Sequence, residues 1–144
     1  MRHMTLALTW FTLSATASVA APALKDRKID DATRILGMWA QEAISVRGND
    51  QTTQQENTFR FGNDGTCGIT TNSRENPAEY TLNGSKSPRQ MKWLNGRAKT
   101  EWLCIYELDS DTLKVAFVDQ GTEPPNKIEP AKNLTIYYLR RIKE

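Results

Sequence analysis

From Met38 onward the chain is punctuated at short, regular intervals. Runs rich in β-branched and aromatic residues alternate with clusters of Gly, Asn, Asp and Pro. That pattern reads as strands joined by turns. Eight strands are predicted: Met38–Arg47, Gln55–Phe61, Thr66–Thr71, Ala78–Leu82, Arg89–Asn95, Thr100–Leu108, Asp111–Val118 and Asn133–Ile142. Asp64-Gly65 and Asn83-Gly84 are hairpin dipeptides. Ile44/Val46, Phe59/Phe61, Tyr80/Leu82, Leu113/Val115/Phe117 and Leu134/Ile136/Tyr138 each put apolar residues two apart, on one face of a strand. All connections but one suit antiparallel neighbours. The exception is the Pro-rich stretch Asp119–Lys132; a shorter polar loop is predicted at Asn72–Pro77. A meander of this kind predicts an all-β, antiparallel up-and-down barrel of about eight strands, which leaves few open edges.

The segment before the first strand divides in three. Arg2 and His3, an apolar run from Thr5 to Leu13, and the small residues Ser14 to Ala21 form a tripartite leader. Ser18-Val19-Ala20 fits the cleavage rule, so residues 1–20 read as a signal peptide and the chain as exported, periplasmic or extracellular. The apolar run is too short to span a bilayer, which takes about 20 residues, so no transmembrane span is expected in the mature chain. Residues 21–28 read as a flexible tail, and 29–144 as the barrel domain. Within that domain Ile29–Leu36 predicts one or two helical turns, capped by Asp30 or Asp31 and stopped at Gly37.

Composition narrows the function classes. The sole histidine is His3, inside the leader. A mature chain without histidine has no Ser-His-Asp or Cys-His arrangement and no His-based metal site. It also lacks the commonest general base near neutral pH. No catalytic motif stands out, no metal or other cofactor is called for, and an enzyme is disfavoured. Asp109-Ser110-Asp111 resembles the start of a calcium loop but lacks its later glycine and glutamate, so it is read as a turn. The formal charge is only +2, and basic residues do not interleave with aromatics, so nucleic acid is not an expected partner.

Leu36-Gly37-Met38-Trp39 stands where the helical turn meets the first strand, and Leu139-Arg140-Arg141 stands on the last. Gly37 lets the turn approach the barrel closely. A guanidinium from Arg140 or Arg141 over the Trp39 indole would add about 0.5–2 kcal/mol. Together with Ser87-Pro88-Arg89-Gln90-Met91 and Ile105-Tyr106-Glu107-Leu108-Asp109-Ser110-Asp111-Thr112-Leu113, these motifs resemble a small lipocalin-like domain family of unknown function. That family is common in secreted planctomycete-type bacterial proteins. The resemblance runs from about Ile35 to Arg141. It implies a lipocalin-like barrel whose closed end is made by Gly37, Trp39 and Arg140/Arg141; it implies no established activity. The chain departs from the family at Cys104 and Ser110, where glycine is usual, and at Glu123-Pro124-Pro125, where Arg-Pro is usual.

The interior should be crowded, because an eight-stranded barrel has room for side chains or one small ligand. If a pocket exists, Tyr80, Arg89, Trp93 and Tyr106 are its expected walls. Cys67 and Cys104 are the only cysteines; an oxidising compartment favours a disulfide, but their strands, the third and the sixth, are not neighbours in a simple meander, so a bond and two buried free thiols both stay open. The sixth strand, Trp102-Leu103-Cys104-Ile105-Tyr106, is apolar on both faces, so it is either covered by the N-terminal turn or part of a contact surface. The sequence thus points to an exported binding protein for a small apolar or amphipathic ligand. The alternative is a protein-interaction or inhibitor module of the cell envelope with a filled barrel, meeting its partner through Asp119–Lys132 and the face around Trp102.

Overall fold

The computed structural model describes residues 30–51 and 56–143. The predicted leader, tail, Ile29 and Gln55 lie outside the described residues. One helical turn, α1 (Asp31–Arg34), precedes nine antiparallel strands. They are β1 (Gly37–Val46), β2 (Asn49–Gln51), β3 (Thr58–Phe61), β4 (Thr66–Thr71), β5 (Arg74–Asn83), β6 (Gln90–Asn95), β7 (Glu101–Leu108), β8 (Thr112–Val118) and β9 (Leu134–Arg141). β1 and β3 to β9 each pair with the next in chain order, and β9 returns to β1. The result is a closed, eight-stranded, up-and-down barrel of lipocalin-like form, with β2 as a short arm on the far half of β1.

Two connections differ from the sequence reading. The chain was expected to turn at Gly48-Asn49-Asp50; it turns one residue earlier, at Arg47-Gly48, and Asn49 and Asp50 pair back onto β1. The stretch Asn72–Pro77 was expected to be a loop. Instead Asn72 and Ser73 make a tight turn, both at positive φ (48° and 63°), and β5 begins at Arg74. Pro77 sits inside that strand without costing a ladder bond. Its carbonyl accepts from the Gly96 N–H at 2.8 Å, so its missing donor would face the same way, past the end of β6.

The barrel interior is filled. Trp39, Phe59, Phe61, Met91, Trp93, Cys104, Tyr106, Leu113, Val115 and Leu139 all turn inward and are buried. Around Trp93 the rings meet edge to face: Phe59 and Phe61 at 6.3 Å and Phe117 at 5.4 Å between centroids. Tyr137 closes the ring between Phe59 (5.3 Å) and Phe117 (5.6 Å). Such pairs add about 0.5–1.5 kcal/mol each beyond the area they bury.

A second apolar cluster lies on the outside of the wall. Ile105, Ala116, Val118, Leu134 and Ile136 occupy the outward positions of β7, β8 and β9. The 119–133 connection runs over them as a strap and buries Ile128 and part of Ala131 against them. This is what covers the outer face of β7, rather than the N-terminal turn or a partner. The strap is held at its base, where the Asp119 N–H donates to the Asn133 carbonyl at 2.9 Å and the Thr122 hydroxyl to the Asp119 carbonyl at 2.6 Å. Trp102, expected on that outer face, points inward instead. It pairs directly across from Trp93 and meets Phe117 edge to face at 6.3 Å.

Candidate functional site

The barrel has one plugged end and one open end. The plug starts from Asp30, whose carboxylate caps α1 by accepting from the Thr33 N–H at 3.0 Å. The turn then stops, and Gly37, at φ +111°, swings the chain into β1. The Trp39 indole N–H donates to the Ile35 carbonyl at 2.8 Å, in a fully buried position. Arg141, directly opposite Trp39 in the β1–β9 register, lays its guanidinium 4.2 Å from the ring centroid. It also donates to the carbonyls of Leu36 (2.7 Å), Ser110 (3.0 Å) and Arg34. Of the two arginines proposed for closure, Arg141 does the closing. Arg140 faces outward and pairs with Glu42. Asp109-Ser110-Asp111 forms the β7–β8 turn that offers Arg141 its Ser110 carbonyl.

Two of the four residues nominated as pocket walls belong to this plug. Asp31 accepts from Arg89 Nη1 (3.0 and 3.1 Å) and from the Tyr106 hydroxyl (2.8 Å). The hydrogen bond with Asp31 raises the Arg89 pKa further. Burial, then the Asp31 contact, pushes the Tyr106 phenol well above the usual tyrosine range. A shallow recess of about 570 Å³ beside α1 is lined by Asp31, Arg34, Leu82, Gly84 and Arg89 among others. Its central charges are already paired with each other: Arg34 lies 3.6 Å and Arg89 3.0 Å from Asp31. Of the other two, Tyr80 lines a separate recess of about 390 Å³ with Ala32, Thr33 and Leu36 of the plug, and Trp93 lies deep in the barrel. The Tyr80 hydroxyl donates to the Gly62 carbonyl at 2.8 Å and its ring meets Phe61 at 5.1 Å. Trp93 is sealed in the aromatic core at 3% exposure. The four therefore do not converge on one cavity.

The open end holds a recess of about 450 Å³, lined by Val46, Arg47, Trp102, Phe117, Asp119, Thr135 and Tyr137. These residues come from β1, β7, β8 and β9 and the turns beyond them. The register explains the convergence. Val46 faces Thr135, Thr135 faces Phe117 and Trp102 faces Trp93, so all turn to the inside of the same wall. Arg47 and Asp119 stand at the rim, 3.7 Å apart. Burial raises the Tyr137 phenol pKa, with a smaller contribution from nearby Cys104. Among the described residues nothing hydrogen-bonds to the Tyr137 hydroxyl or the Trp102 indole N–H. The recess is apolar at its base and polar at its lip, the usual build of a small-molecule site. Sequence reasoning missed Val46, Arg47, Phe117, Thr135 and Tyr137 here. The signal available was parity: counting outward from the β6–β7 turn puts Trp102 on the same face as Trp93.

Cys67 and Cys104 are free and buried. They lie on β4 and β7, with β5 and β6 between them. Burial pushes both thiols far above the ordinary range, so neither is a ready nucleophile. Among the described residues no three His, Cys, Asp or Glu side chains are grouped to hold a metal ion. Among the same residues no helix is long and apolar enough to cross a membrane.

Compared with protein-family models, with curated proteins and with solved structures, the chain matches none. The fold and the two barrel ends are therefore the basis for a functional reading.

Proposed function

We propose that this chain is an exported, lipocalin-like binding protein that holds a small apolar or amphipathic ligand at the open mouth of its barrel. The observation that carries the reading is the contrast between a plugged base and a mouth lined by Trp102, Phe117, Tyr137 and Val46. The ligand sits at the mouth and not deep inside, because the Phe59–Trp93–Phe117–Tyr137 packing floors the recess. Membership in the small lipocalin-like family of secreted bacterial proteins is part of the proposal. It is supported by the place of Gly37, Trp39 and Arg141 in the plug. Export rests on the leader-like residues 1–20.

Native mass spectrometry of the protein purified from its own organism tests this. The expected spectrum has a mature chain beginning at Ala21 and carrying a small-molecule adduct that leaves on denaturation. A chain that carries no adduct, and takes none up from a lipid extract of the same cells, would overturn the binding reading. Retention of residues 1–20 would overturn export. A second reading, an envelope interaction or inhibitor module, draws on the filled interior below the recess. A stoichiometric second polypeptide in the same spectrum would favour it.

A further inference from the structure

The β1–β2 turn breaks a local rule. Arg47 and Gly48 are its two central residues, at φ +49° and +85°, between the paired residues Val46 and Asn49. A two-residue turn with both central residues at positive φ favours Asn-Gly or Asp-Gly. An arginine in the first place is a poor choice for the backbone. Such a choice at a cleft is a reason to ask what the side chain does. The Arg47 N–H donates to the Leu134 carbonyl at 2.9 Å, which ties the turn to β9 and sets the side chain at the lip of the mouth. There the guanidinium is under-used. Its Nε lies 3.7 Å from Asp119 Oδ2, beyond hydrogen-bond length, and the side chain is 71% exposed. Among the described residues, neither terminal nitrogen of Arg47 has a partner.

The rest of the lining tips the same way. Trp102 and Tyr137 both line the recess, and neither the indole N–H, a donor only, nor the phenol hydroxyl has a hydrogen-bond partner among the described residues. Asp119 is the one carboxylate of the lining, and it backs the arginine. The recess thus offers an apolar, ring-walled base beside one exposed cation at the rim. Resting on the mouth-binding reading above, we infer that Arg47 selects the ligand. The preferred molecule has a flat or short apolar body and a single anionic head, a carboxylate or sulfonate type of group. Its body stacks among Trp102, Phe117 and Tyr137, and its head takes the free edge of the Arg47 guanidinium.

A matched pair of fluorescent probes tests this on the full mature chain: neutral N-phenylnaphthylamine, and anilinonaphthalene sulfonate, which adds the anion to the same ring body. Arg47→Asn should weaken the sulfonate about tenfold relative to the neutral probe, the factor of one exposed charge-assisted contact. The neutral probe should be unchanged, and the thermal midpoint unchanged or raised, because Asn suits positive φ. Asp119→Asn should act in the opposite direction and strengthen the sulfonate, because it removes the one negative charge of the lining. If both probes bind and Arg47→Asn shifts neither, or shifts both alike, selection by Arg47 is overturned and the mouth-binding reading stands. If neither probe binds, or if both bind unchanged to Trp102→Ala, the mouth-binding reading falls and the inference with it.

Discussion

Arg141 and Arg47 sit at opposite ends of one barrel and are used in opposite ways. Arg141 lies on an indole and donates to three carbonyls. Arg47 has one carboxylate at 3.7 Å and is otherwise open to solvent. The tyrosines repeat the contrast. Tyr106 gives its hydroxyl to Asp31, while Tyr137 gives its hydroxyl to nothing among the described residues. A group whose bonds are all made inside the fold contributes to stability and has nothing left for a ligand. A group left half-satisfied beside an apolar recess contributes little to stability and is free to bind. Substitutions at the plugged end should therefore cost folding, and substitutions at the mouth should cost binding.

The sharpest way to break the comparison is Trp39→Ala. It removes a fully buried ring and the surface Arg141 lies on, and should lower unfolding free energy by about 3–5 kcal/mol. Chemical denaturation measures it, and a stable, well-folded Trp39→Ala protein would undo the plug. Arg141→Met keeps much of the packing and orphans the carbonyls of Leu36, Arg34 and Ser110; a loss of about 3 kcal/mol is expected. Arg140→Met, one residue away on the exposed side, should change stability by less than about 1 kcal/mol. Equal losses for the two would show that the guanidinium–indole contact is not what closes the base.

Tyr106→Phe should cost about 1 kcal/mol at neutral pH by leaving Asp31 with one donor fewer. It also has a pH signature. The Tyr106 pKa is higher folded than unfolded, so the unfolded chain loses the proton first. The stability this phenol contributes is whole below about pH 10, the unfolded value, and declines as pH rises above it. Tyr106→Phe should flatten part of that alkaline decline in a series of urea melts. An unchanged slope would mean the Asp31 contact is not made in solution. At the mouth, Trp102→Ala removes a ring only part-buried against the core and should cost about 1–3 kcal/mol, less than Trp39→Ala, while abolishing the ligand response. A large loss of stability there would erase the distinction between the two ends.

The plugged end was legible because its signals are local and chemically specific. Gly37 and Trp39 stand two residues apart beside a cappable turn, and only two arginines on the last strand were available to meet them. The strands were legible from alternation. What was not legible depended on partners distant in sequence. Arg89 and Tyr106 read as free pocket walls because Asp31, which occupies both, is far back along the chain. The strand Trp102–Tyr106, apolar on both faces, read as covered by the N-terminal turn or as a contact surface, because the strap's Ile128 carries no periodic signal within a Pro-rich loop. Asn72 and Ser73 read as the start of a loop because a polar cluster looks the same whether it wanders or folds back in two residues. Arg47 was passed over because a turn residue is identified by φ, and a sequence shows only that arginine is an odd choice beside Gly48.

The barrel is sealed by pairing β1 with β9, its first long strand with its last. Every other pairing in the wall is between near neighbours in the chain. The first half of the wall can therefore zip up locally, but β1 keeps a row of unpaired backbone groups along one edge until the final strand arrives. Until then the Trp39 ring has no lid and that edge is an open template for any other extended chain. Closing so long a loop is the slow, non-local step of such a topology. The seam between β1 and β9 is thus where folding speed and aggregation compete, and Arg141, near the end of β9, is the residue that locks it.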